Sequence, residues 1–123
     1  MGDKEYFKYW GKARQRQDGR WDYHLLSYHC LDVAAVGMVL AKKFRIAKYF
    51  SEKLHQTEND VLFFIGFLCA IHDIGKFSDG FQGQLPEVVH GLRKRTIKVA
   101  YQEKHWSSGY RFMQEYADKI FSG

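Results

Sequence analysis

Apolar residues fall along this chain mostly at helical spacing. Leu25, His29, Val33, Val36 and Leu40 recur at steps of three and four, which predicts a first helix from about Asp22 to Lys48 with one apolar face. Thr57-Glu58-Asn59-Asp60 has an acidic residue three after a threonine, a capping box that opens a second helix. That helix is Val61–Ile71, eleven apolar or glycine residues in a row, and it belongs in an interior. Gly75 is placed for the left-handed residue that ends it. Gly80, Gly83, Pro86 and Gly91 predict a loop with short turns over 78–91, and the basic stretch Leu92–Gln102 reads as helical. A last helix starts near Ser107 and carries Tyr110, Phe112, Met113, Tyr116 and Ile120. Ahead of all this, an aromatic cluster (Tyr6, Phe7, Tyr9, Trp10) leads into Lys12–Arg20, which reads as an exposed loop. No long Val/Ile/Thr alternation is present, so the fold class is all-α.

The 123 residues suffice for one domain over 1–123, and 46% hydrophobic content rules against disorder. Eleven apolar residues fall far short of the roughly 20 that span a bilayer. The N-terminus, with Asp3, Lys4, Glu5 and Lys8 among aromatics, is not a signal peptide. Cys30 and Cys69 lie in apolar helical patterns outside any zinc-finger spacing and read as buried free thiols of a reducing compartment. The expectation is a soluble, cytoplasmic protein. Net charge is +5, gathered in Arg14, Arg16 and Arg20; Lys42, Lys43, Arg45 and Lys48; and Arg93, Lys94, Arg95 and Lys98. Each cluster alone fits a solvated surface as well as it fits a phosphate backbone.

Ending the Val61–Ile71 run with His72-Asp73 needs a physical reason, because an unpaired charge is costly to bury. A divalent metal supplies one, since imidazole and carboxylate are both good ligands. The alternative is a helix terminus where His72 favours the dipole and Asp73 solvates the turn. His29 lies on the apolar face of the first helix, either as a core histidine or as a ligand, with Asp32 spaced to accept its ring proton. His105 precedes a helix start, where a neutral, metal-binding ring fits. Lys76 serves equally as a helix-end cation or as a partner for charge on phosphoryl oxygens. His24 reads as structural or rim, and His55 and His90 as surface. Gly75-Lys76 lacks the upstream glycine of a P-loop.

Taken together, His29-x-x-Asp32-Val33-Ala34, His72-Asp73-Ile74-Gly75-Lys76-Phe77 and Lys104-His105 with Gly109 resemble the HD superfamily of metal-dependent phosphohydrolases. Tyr9-Trp10-Gly11-Lys12, His24 to Val36, and Lys76-Phe77 through Phe81-Gln82 resemble in particular the HD nuclease domain of type I CRISPR-associated helicase–nucleases. The resemblance implies an HD-domain helical bundle holding one or two divalent transition metal ions, such as iron, manganese, cobalt or nickel. It implies cleavage of single-stranded DNA, with the CRISPR surveillance complex and a helicase domain as partners and no membrane. His29, His72, Asp73 and His105 match metal ligands, Asp73 matches a bridging catalytic carboxylate, and Lys76 matches the lysine near the scissile phosphate.

The family pattern continues with adjacent histidines and a later aspartate. After His105 this sequence has no histidine, and Asp118 is its only later aspartate. The expectation is therefore a C-terminally incomplete bundle without the helicase region, whose uncovered apolar surface invites self-association. Two other classes stay open: an HD hydrolase of nucleotides, and a non-catalytic binding module.

Overall fold

The computed structural model describes residues 4–122. Two compact units make up the chain, one containing residues up to His29 and from Asp73 onward, the other Cys30–His72. The fold is all-α apart from one small hairpin: α1 Leu26–Lys43, α2 Ile46–Leu54, α3 Glu58–Ile71, α4 Asp79–Gln82, α5 Pro86–Arg93 and α6 His105–Phe121, with β1 Trp10–Gln15 and β2 Trp21–Leu25. Short 3₁₀ turns lie at Glu5–Phe7 and Ile74–Phe77.

In the first unit the structure corrects the expected loop over Lys12–Arg20. β1 and β2 pair antiparallel, and the turn between them is closed by Arg16 N–H to the Arg20 carbonyl (2.8 Å) with Gly19 at φ 82°. The hairpin takes the residues assigned to the start of the first helix, which begins at Leu26 instead of Asp22. Trp21, Tyr23 and Leu25 do alternate with Asp22 and His24, but the period-two signal lasts only five residues. The register slips between Trp10 and Lys12, leaving Gly11 as the bulged residue. A Cβ there would lie 2.8 Å from Leu26 Cα, so only glycine fits. Behind the hairpin, Trp10, Phe81, Val88, Val89 and Ile97 form a core, with Trp10 and Phe81 rings 4.6 Å apart.

Two further corrections fall here. Gly75 is not left-handed; among the described glycines only Gly19 has positive φ. Gly75 is required for a different reason, since a Cβ on it would run into the His105 carbonyl oxygen. The stretch Leu92–Gln102 is not a helix either: α5 stops at Arg93, Lys94 turns left-handed at φ 53°, and no regular element follows until His105.

In the second unit, Ala41, Ala47, Val61 and Leu62 form the core with Met38 and Ile65 against it. The single long helix expected to Lys48 is two, because Arg45 adopts φ 58° between α1 and α2. Thr57 caps α3 as its sequence predicts, its hydroxyl accepting the Asp60 N–H at 3.1 Å. The Val61–Ile71 run is less interior than expected, however: Phe63, Phe64 and Leu68 are exposed. Cys30 and Cys69, expected to be buried, are each half buried. No described helix is long and apolar enough to cross a membrane.

A candidate metal centre at Asp73

α3 ends at Ile71, His72 keeps helical angles, and Asp73 leaves them at φ −106°, ψ 19°. This exit directs a carboxylate inward. Asp73 is 6% exposed, the one buried carboxylate among the described residues. Burial at that level requires compensating charge or hydrogen bonds, and the first unit supplies both. His29, at the end of the first turn of α1, places Nε2 3.1 Å from Asp73 Oδ2. Lys76, one 3₁₀ turn on, places Nζ 2.6 Å from the same oxygen. His105, opening α6, places Nε2 3.4 Å from Oδ1.

Local sequence explains each approach. The 3₁₀ turn after Asp73 brings Lys76 back over the carboxylate three residues earlier. Its ammonium also donates to the Gly11 carbonyl at 3.3 Å, which the bulge in β1 turns toward it. His105 reaches the site because Gly75 and Gly109 have no side chains: a Cβ on Gly75 would collide with His105 and with Gly109 N, and one on Gly109 would lie 3.1 Å from Gly75 N. The main chains of α6 and the 3₁₀ turn are therefore in direct contact. Tyr101 completes the arrangement. Its hydroxyl oxygen accepts the His105 N–H at 3.1 Å and lies 3.3 Å from Nδ1, so it can accept the Nδ1 proton and leave the Nε2 lone pair facing Asp73.

Of the residues singled out by sequence, His29, Asp73, Lys76 and His105 converge in this unit. His72 is bonded to Asp73; its Nδ1 lies 2.6 Å from the Cys69 carbonyl, which leaves Nε2 as its ligand atom. His29, His72 and Asp73 can each offer one atom to a single cation. Imidazoles around a buried carboxylate are the donor set of a divalent transition metal, so the residues fit that group. His24 is exposed on β2 with its ring centroid 6.4 Å from that of His29, a rim position as expected. His55 and His90 are exposed. Sequence reasoning missed Tyr101, and it picked out Gly11 and Gln82 only as parts of segments that carry the resemblance, without a role, because all three act through tertiary contacts.

A cavity of about 1320 Å³ lies beside this cluster between the 3₁₀ turn and α6, lined in part by Ile74, Gly75, Phe112 and Arg111. The charged side chains at Asp73 do not line it. The basic clusters are partly neutralised: Arg93 and Arg95 both pair with Asp79, at 3.0 and 2.8 Å, and Arg16 and Arg20 contact Asp18. Arg93 also lies over the Tyr9 ring, 4.5 Å from its centroid.

Comparison with known proteins agrees with the geometry. The protein-family profile described as "Cas3, HD domain" matches residues 10–121. Over 81 residues the chain is 42% identical to the CRISPR-associated endonuclease/helicase Cas3 of Escherichia coli (strain K12), a stretch covering 60% of this chain and 8% of that protein. No solved structure gives a significant match.

Proposed function

Since this chain belongs to the Cas3 HD-domain family, we propose that it is a metal-dependent nuclease domain that cleaves single-stranded DNA in CRISPR antiviral defence. The observation that carries the reading is the buried Asp73 carboxylate, with His29, His105 and Lys76 gathered on its two oxygens. His29, His72, Asp73 and His105 would hold one or two divalent transition ions. A bound ion of that kind supplies Lewis acidity to water and to phosphoryl oxygens.

The protein's own groups do the rest. Asp73 offers two oxygens and so can serve two ions. Tyr101 and Cys69 fix imidazole orientation from behind, through the His105 and His72 Nδ1 atoms. Lys76, held by Gly11, presents a cation where negative charge grows on a phosphodiester. Lys94 and Lys98 would contact the strand's backbone without reading its sequence.

In this reading the chain acts as one HD-type domain in the cytoplasm, beside a helicase region and the CRISPR surveillance complex. Exposed Leu31, Val39, Phe44 and Phe63 supply apolar surface for association between copies, which sedimentation at increasing concentration would detect.

The test is metal content and cleavage of circular single-stranded DNA with manganese or nickel, for wild type and Asp73→Ala. Wild type should carry metal and cut the circle, and the variant should do neither. Hydrolysis of nucleotides without cutting would assign the site to a nucleotide phosphohydrolase. Metal without turnover on either substrate would leave a binding module.

A further inference from the structure

We propose that Gln82 is a positioning residue that sets Lys76 against Asp73, a role whose kinetic consequence rests on the nuclease reading. Gln82 is fully buried, with 0% exposure, at the end of α4. Its side-chain oxygen accepts the Trp10 N–H at 3.1 Å. Its side-chain nitrogen donates to the Trp10 carbonyl and to the Lys76 carbonyl, both at 2.8 Å. The indole Nε1–H of Trp10 donates in return to the Gln82 main-chain carbonyl at 3.2 Å. One donor group facing two carbonyls, with the amide oxygen facing an N–H, leaves only one orientation for the amide.

These bonds refer both ends of Lys76 to the same point. Its main chain is tied to Gln82 directly. Its ammonium is held by Gly11, the residue after Trp10, whose N–H and C=O Gln82 also holds. A four-carbon stem anchored at base and tip has few rotamers left, and the tip is 2.6 Å from the Asp73 carboxylate. An apolar residue would fill the same volume without desolvating an amide, but it would supply none of these directions.

Acetic anhydride labelling tests this without reference to turnover. The Lys76 side chain is 14% exposed and ion-paired, so it should react slowly beside exposed Lys53, the internal standard. Gln82→Met keeps the chain length and removes every side-chain hydrogen bond; Gln82→Glu keeps the acceptor and removes both donors. In both variants Lys76 should label about tenfold faster relative to Lys53, the scale expected from losing one or two hydrogen bonds. Where the protein cuts DNA, kcat should fall by about the same factor with KM unchanged, and Gln82→Met should add nothing in a Lys76→Met background.

Unchanged Lys76 labelling in variants that melt well above the labelling temperature would overturn the proposal. Failure of both variants to fold would also overturn it, making Gln82 a determinant of the fold alone. If wild type cuts no DNA, the nuclease reading falls while the labelling still decides the role of Gln82.

Discussion

Lys76 Nζ and Asp73 Oδ2 lie 2.6 Å apart, with both side chains largely out of solvent. The lysine is a partner of the carboxylate and, carrying no lone pair when charged, cannot ligate a metal beside it. Lys76→Met should therefore keep bound metal while slowing DNA cleavage about 100-fold, the scale of losing one electrostatic stabiliser at a transition state. Metal analysis alongside kinetics separates the roles. Loss of metal in this variant, as expected for Asp73→Ala, would make the lysine part of the binding shell and sink the assignment.

Gly75 and Gly109 offer a graded test of how α6 is held. A methyl on Gly75 would run into the His105 oxygen and lie 2.6 Å from Gly109 N, both backbone atoms that cannot rotate away. On Gly109 the nearest atoms are at 3.1 and 3.2 Å. Gly75→Ala should cost about 3 kcal/mol or more, and Gly109→Ala about 1 kcal/mol. Urea unfolding of the two variants measures the difference, and equal costs would mean that the two backbones do not touch.

How much of this was legible beforehand depends on the range of the contact. His72, Asp73 and Lys76 announce themselves because they are contiguous and interrupt an apolar run. His29 is visible through helical spacing. His105 is visible only through its place at a helix start and the family resemblance. The hairpin was hidden because Leu25 continues the step of four that leads to His29, while the competing alternation Trp21–Leu25 is short. For Gly75 the sequence points to a local turn, whereas the requirement comes from a residue thirty positions later. Tyr101 leaves no sequence trace, and Gln82 shows only as the end of a segment that carries the resemblance, since an amide or phenol acquires its partner only when distant segments meet.

Arg93 and Arg95 both pair with Asp79 yet should behave differently. Arg93 is 10% exposed at its side chain and also covers the Tyr9 ring, whereas Arg95 is 51% exposed. Asp79 itself is 44% exposed, so solvent screens both pairs. Arg93→Met should destabilise by roughly 1–2 kcal/mol through the ring contact and the pair together. Arg95→Met should fall within about 0.5 kcal/mol of wild type. Denaturant melts at low and high salt would show it, and the reverse ranking would refute the geometry around Asp79.

Asp18 in the hairpin turn has its carboxyl held below the ordinary aspartate range, first by the Arg20 side chain and then by the Arg20 backbone N–H. A lowered pKa in the folded state means that the turn's stabilisation is complete above the ordinary aspartate pKa. It is lost as pH falls through the lower folded value. Titration of the Asp18 carboxyl carbon by NMR should show the depressed midpoint in wild type and a return toward the ordinary value in Arg20→Met. A midpoint matching that of a short peptide would exclude the interaction.

The acceptor that grips the lysine tip is a peptide oxygen, that of Gly11, so no side-chain replacement can delete it. An alanine scan would still flag position 11, because a methyl there runs into Leu26 Cα, and the defect would be attributed to crowding. Mutagenesis is thus blind to this bond. Semisynthetic replacement of the amide after Gly11 by an ester, which weakens the oxygen as an acceptor and adds no bulk, would make it visible.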